Sequence, residues 1–188
     1  AAGLDIFGAR RPFALNQPIS NAGSQYLRTT GYAVINRKMP LDSTLTVSTS
    51  WQYSPDSLPG YDTLCLGGAY TGRGYRELYF CGDTAALGSV QWMAPASFLP
   101  KGLHLPFSKT DLREQLKVLT FLDGGYSHYN RPTFVTDLNE FILSTGVGVR
   151  MQIANKIFGR FDLGFPLLRP TPFSSGARFH FGVDLIAF

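Results

Sequence analysis

The feature that most constrains this chain is a two-residue period held over long segments. From Thr44 to Tyr53, Leu45, Val47, Thr49, Trp51 and Tyr53 share one face, and Thr44, Thr46, Ser48, Ser50 and Gln52 share the other. Side chains of a strand point alternately to opposite faces, so this pattern reads as a strand with one greasy and one small polar side. It returns three times near the C-terminus. In Thr145–Ala154, Val147, Val149, Met151 and Ile153 alternate with Gly146, Gly148, Arg150 and Gln152. In Arg160–Leu167, Phe161, Leu163, Phe165 and Leu167 oppose Arg160, Asp162 and Gly164. In Ala177–Phe188, Phe179, Phe181, Val183 and Leu185 oppose Arg178, His180, Gly182 and Asp184. Further strands are expected at Tyr26–Asn36, Thr84–Met93 and Leu116–Gly125, with a weaker one near Leu4–Phe13.

A soluble sandwich also alternates, with its apolar face inside. A transmembrane barrel inverts this and turns the apolar face to lipid. Length separates the two cases. A tilted strand needs about 9–11 residues to cross a bilayer, whereas an ordinary strand has about 5–6. The segments here match the longer class. Connections support it, because short ones (Arg37–Asp42, Asn155-Lys156) alternate with longer ones (54–83, 126–139, 168–176). A barrel with tight turns on one membrane side and loops on the other has this rhythm. The exception is 94–115, a Pro-bearing excursion on the short-turn side, in which Asp111–Leu116 can form a helical turn.

Composition agrees. Charged residues are 16% of the 188 residues, below the roughly 25% of soluble domains, and aromatics reach 14%. No apolar run approaches the roughly 18 residues of a spanning helix. The net charge of +4 comes from scattered basic residues, with only Arg10-Arg11 and Arg37-Lys38 adjacent. Nothing resembles a stripe that follows a phosphate backbone, so a nucleic-acid partner is not expected. His104, His128 and His180 have no metal-ligand spacing with Cys65 and Cys81, and no cofactor fingerprint or nucleophile elbow is present. Neither a metal, a cofactor nor an enzymatic site is expected.

The informative stretch is Leu66-Gly67-Gly68-Ala69-Tyr70-Thr71-Gly72-Arg73-Gly74-Tyr75, followed by Gly82-Asp83. Composition alone favours a Gly-rich surface loop with a solvated arginine. The alternative is a guanidinium held among glycines and aimed at a carboxylate. Cys65 and Cys81 flank the stretch, either as a staple in an oxidising compartment or as two thiols.

The stretch resembles the long sixth extracellular loop of the outer-membrane superfamily that includes the barrel-assembly subunit BamA and the two-partner secretion transporters. That loop carries a glycine pair, a hydrophobic–Arg–Gly–aromatic tetrad and Gly-Asp. Here these read Gly67-Gly68, Gly72-Arg73-Gly74-Tyr75 and Gly82-Asp83, with Gly72 where the family has Val or Ile. A second family motif, Phe-x-Asp-x-Gly, reads Phe121-Leu122-Asp123-Gly124-Gly125 on the second strand after the loop. A third is an aromatic-terminated last strand read by the assembly machinery, matched by His180, Gly182, Leu185 and Phe188. The spacing is most similar to the haemolysin-activator (TpsB) branch.

The resemblance implies an all-β chain, the C-terminal half of an antiparallel transmembrane barrel of sixteen strands, with seven or eight of them here. The whole of 1–188 is barrel, with a Gly-rich loop at about 60–83 folded inward. The family's periplasmic POTRA domains are not read in this chain. Implied partners are a secreted exoprotein, outer-membrane lipid and the assembly machinery, and the implied location is the bacterial outer membrane. The loop is expected to lock by Arg73 meeting Asp123, with Thr46, Ser48, Ser50, Arg150 and Asp162 lining the lumen. The alternatives are a BamA-like insertion factor, a passive porin-like barrel and a soluble all-β domain.

Overall fold

A computed structural model describes residues 25–103, 110–130, 139–153, 156–168 and 176–186. Alternation fixes strands whose two faces differ, and the strands pair in simple order. β1 (Thr29–Met39), β2 (Ser43–Tyr53), β5 (Thr84–Pro95), β6 (Leu116–His128), β7 (Asn139–Ile153), β8 (Ile157–Pro166) and β9 (Arg178–Leu185) form one sheet. Each pairs antiparallel with its neighbours in the order β1-β2-β5-β6-β7-β8-β9. The sheet is an open wall, one section of a barrel. The short β3 (Leu64–Leu66) and β4 (Phe80–Gly82) pair as a separate hairpin inside the β2–β5 connection. The helical turn α1 (Leu112–Gln115) lies in the excursion before β6.

The register sorts the residues into an outer and an inner face. Ser48↔Ser89, Ser89↔Asp123, Asp123↔Ser144, Gly148↔Asp162 and Asp162↔His180 are cross-strand partners, so all seven positions share the inner face. Leu45, Val47, Trp51, Trp92, Leu122, Val147, Phe161 and Phe181 fall on the other. Burial is inside out. Phe181 is 80% exposed and Val147 54%, whereas Asp162 is 1% and Asp123 5% exposed. A protein solvated on its outer face would hide the phenylalanines and expose the aspartates. The arrangement makes sense when lipid covers the outer face.

Element boundaries depart from expectation in several places, among them the start of β8 at Ile157 rather than Arg160. β1 runs to Met39 rather than Asn36, because Arg37 and Lys38 still pair with Leu45 and Thr44. The reversal is confined to Pro40–Asp42, where Leu41 and Asp42 take positive φ. β6 and β7 are longer than read, since the ladder continues from Gly125↔Ile142 to His128↔Asn139. β7 therefore has 15 residues and starts six positions before Thr145. The candidate strand near Leu4–Phe13 and the terminal Phe188 lie outside the described residues.

The inner face of β6–β8 is built from small residues where another layer must fit. A Cβ on Gly146 would lie 2.1 Å from the Leu163 carbonyl oxygen and 2.5 Å from the Phe121 ring. A Cβ on the outward Gly88 would meet nothing within 4 Å. Gly146→Ala is expected to destabilise the barrel by about 1–3 kcal/mol, as overpacking does. Gly88→Ala should stay within about 0.5 kcal/mol of the parent. Heat-dependent gel mobility of the two variants checks this, and equal melting would contradict the inner-layer assignment.

Candidate functional site

The β2–β5 connection, residues 54–83, folds back onto the inner face of the wall. Cys65 and Cys81 are cross-strand partners in the β3–β4 hairpin and are joined as a disulfide. The bond closes the base of the segment 66–80. Leu66 and Tyr75 then pack with Leu87 of β5 and Ile142 of β7, all buried. From Thr84 to Ser89, the partner of Asp123, is a descent of roughly 17 Å along the strand at about 3.3 Å per residue. The loop tip thus sits well inside the wall.

Arg73 is 6% exposed and fully engaged. Its Nε donates to Asp123 Oδ2 and its Nη2 to Asp123 Oδ1, both at 2.8 Å. Its backbone N–H also donates to Asp123 Oδ2, at 3.1 Å. Nη1 donates to Gln91 Oε1 at 3.1 Å and Nη2 to Ser89 Oγ at 3.2 Å. The guanidinium carbon stands 3.5 Å from the centroid of the Phe121 ring. Such a fork-to-fork pair is the geometry arginine provides and lysine cannot. Wetness decides its worth. A solvated pair contributes about 0–1 kcal/mol, but both side chains here are 7% exposed. The dry limit applies, and removing one partner costs about 3–5 kcal/mol.

A second carboxylate stands behind the first. Asp162 Oδ1 lies 3.8 Å from Arg73 Nη1. Asp162 also takes a two-point contact from Arg150, at 2.9 and 3.0 Å. The order Asp123–Arg73–Asp162–Arg150 alternates in sign and leaves no net charge. Asp162 was expected to line an open lumen. It is on the inner face but lies under the loop, and the Arg150 contact offsets the cost of burying it.

The rest of the tetrad fits the wall by shape. Gly72 has a φ of 141°, and a Cβ there would lie 2.5 Å from the Ile142 methyl. A β-branched residue would be strained at this φ, so glycine suits the position. Tyr75 is 1% exposed, and its hydroxyl donates to the Leu168 carbonyl at 2.6 Å and accepts from the Leu143 N–H at 3.3 Å. The Asp83 carboxylate accepts from the Leu58 and Asn130 N–H groups at 2.7 and 2.8 Å. It therefore ties the start of the loop and the next loop to the top of β5. Burial pushes the Asp83 carboxyl above its ordinary value, against the opposing pull of those two amides.

Thr46, Ser48 and Ser50 face inward beside the loop, and a cleft between Ser48, Ser50 and Ser89 on the wall and Tyr70 and Gly72 on the tip runs down this side. Gly125 lies under the loop, where a Cβ would meet Leu87 and Leu66. His180 and Gly182 share the inner face, while Leu185 points outward and is 73% exposed. Sequence reasoning did not assign Gln91, Ser89 or Asp83 a role and did not pair Asp162 with Arg150. The inward parity of Gln91, Ser89 and Asp162 was readable, but Gln91 and Ser89 meet Arg73 on the loop, and Asp83 is held by the loop amides of Leu58 and Asn130. Among the described residues no cluster of three or more His, Cys, Asp or Glu could hold a metal ion.

The model of the haemolysin secretion/activation protein family ShlB/FhaC/HecB matches residues 1–151. The chain belongs to this family. It is 27% identical over 121 residues to the outer membrane transporter CdiB of Escherichia coli O6:K15:H31 (strain 536 / UPEC), across 63% of this chain. Its fold superposes on a solved structure of CdiB from Escherichia coli with a TM-score of 0.74 and 21% identity, covering 98% of this chain. The chain spans 18% of the length of the first relative and 32% of the second. It is an outer-membrane β-barrel segment of this transporter family.

Two outcomes are expected. Asp123→Ala should cost about 3–5 kcal/mol, and Arg73→Met combined with it should cost less than the sum of the two single changes. Additive losses in a double-mutant unfolding cycle would mean that the pair carries no coupling. Reducing Cys65–Cys81, which closes a span of 16 residues, should expose 66–80 to protease and remove up to about 3 kcal/mol. Cleavage unchanged by reductant would deny the bond a part in shaping the loop.

Proposed function

We propose that this chain forms the C-terminal part of the barrel of a two-partner secretion transporter, passing an unfolded exoprotein from periplasm to cell surface. The observation that carries this reading is the dry, two-point pair between Arg73 on the loop and Asp123 on β6. A locked loop narrows the path and sets the conformation of the wall. Substrate runs beside it, along the hydroxyl face of Thr44, Thr46, Ser48 and Ser50; Gln52, on the same face, is buried and donates to the Asp62 and Asp83 carbonyls of the loop. That face offers hydrogen bonds without charge, so an extended chain of any composition can slide past it. Folding of the client outside supplies direction, and no ATP is needed. Outer-membrane lipid covers the Trp, Phe and Leu face. The assembly machinery reads the final strand through Leu185 and Phe188 during biogenesis.

The test is secretion by Arg73→Ala. The variant barrel should reach the outer membrane in normal amount. Export of the exoprotein should fall by about tenfold or more, the effect of about 1.4 kcal/mol on a population. Normal export by Arg73→Ala would remove the lock from the mechanism. Loss of other outer-membrane proteins, with export intact, would instead indicate a membrane-insertion role.

A further inference from the structure

Arg73 is held at two ends. Its side chain turns toward β5 and β6, and its backbone carbonyl turns the other way, toward β8 and β9. In β8 the carbonyl enters a notch at Gly164, where a Cβ would lie 2.2 Å from the oxygen. In β9 the ring of His180 approaches it, with Nε2 at 2.9 Å. The His180 side chain is 12% exposed. A buried carbonyl that has lost its water must find a donor. A carbonyl can only accept, so Nε2 carries the proton.

We infer that His180 is a positioning residue of the loop: its Nε2–H holds the Arg73 carbonyl in the Gly164 notch and so aims the guanidinium at Asp123. The inference deepens the proposed secretion role of the loop and rests on that reading for its consequence in export. The opposite nitrogen, Nδ1, faces Glu77 Oε1 at 4.0 Å. That carboxylate also accepts the Ala69 N–H at 2.9 Å, so the ring stands between the two arms of the tip. The hydrogen bond to the carbonyl needs only the neutral ring. His180 is thus set apart from its neighbours on the final strand. Phe179, Phe181 and Val183 face outward, and among the described residues His180 is the one side chain of β9 bonded to the Arg73 peptide.

The experiment measures amide hydrogen exchange across 66–80 in the full-length, membrane-extracted barrel. In His180→Phe, which keeps a ring and removes the donor, these amides should exchange about tenfold faster, as when one hydrogen bond leaves a local opening equilibrium. The amount of barrel in the membrane is measured alongside, because His180 lies on the strand that the assembly machinery reads. His180→Gln, whose amide N–H can reach the same oxygen, should exchange like the parent. Unchanged exchange in His180→Phe would overturn the inference, and so would a Gln variant as fast as the Phe variant. If His180→Phe does not reach the membrane, Gly164→Ala carries the test, because it closes the notch and leaves the final strand intact. Slow exchange in that variant would overturn the inference as well. Exchange is read without any client, so normal export by Arg73→Ala would remove the lock from the secretion mechanism and leave this result standing.

Discussion

A guanidinium cannot be carried into the interior of a wall unless its charge is met there, and much of the inner face is organised around meeting the charge of Arg73. Asp123 supplies both carboxylate oxygens, and Ser89 and Gln91 take the N–H groups that remain. Phe121 presents its ring face to the cation, which favours it further. The pair is worth most when dry, and dryness comes from the loop. Leu66 and Tyr75 cover the region from above, packed on Leu87 and Ile142. The ion pair and its apolar lid therefore depend on each other. Neither would be stable if the loop lay in bulk solvent.

The lid fits because the wall beneath it has been thinned. Gly125, Ser144, Gly146, Gly148 and Gly164 replace larger residues along the inner faces of β6, β7 and β8. The outer faces of the same strands carry Leu122, Val147, Phe161 and Phe165. One strand thus serves two solvents. Bulk is spent toward lipid, where it adds contact area, and withheld toward the lumen, where the loop needs the space. β2 carries hydroxyl groups inside rather than glycines, and the loop leaves the Ser48–Ser50 side open as a cleft.

The architecture was largely legible in the sequence, because a two-residue period over about ten residues admits few folds. Parity alone placed Asp123, Arg150 and Asp162 on the inner side and Trp51 and Phe161 outside. Boundaries were less legible. In 139–144 the inward residues include Glu140 and Ile142, so the polar–apolar contrast fades and β7 seemed to start later. Partners were least legible. The family motif brought Arg73 and Asp123 together on paper, and the side chains meet. Parity says which face a residue occupies but not which strand will lie opposite it across the loop. Asp162, Asp83 and His180 therefore had no assigned partners, although each contact is made by a residue whose face was known. Cys65 and Cys81 were left open for a related reason, since a sequence separation of 16 fits many conformations.

Arg73 alone draws polar contacts from four strands at once: Gln91 on β5, Asp123 on β6, Asp162 on β8 and His180 on β9. These residues come level only through particular pairings, among them Ser89↔Asp123, Gly148↔Asp162 and Asp162↔His180. In a strand, a slip of one residue exchanges the faces. Such a slip in β6 would put Leu122 against the guanidinium and Asp123 against lipid. The seated tip is therefore a gauge of how the sheet was wound. It closes over a wall whose ladders are all in step, and a misthreaded wall leaves it with an unmatched charge.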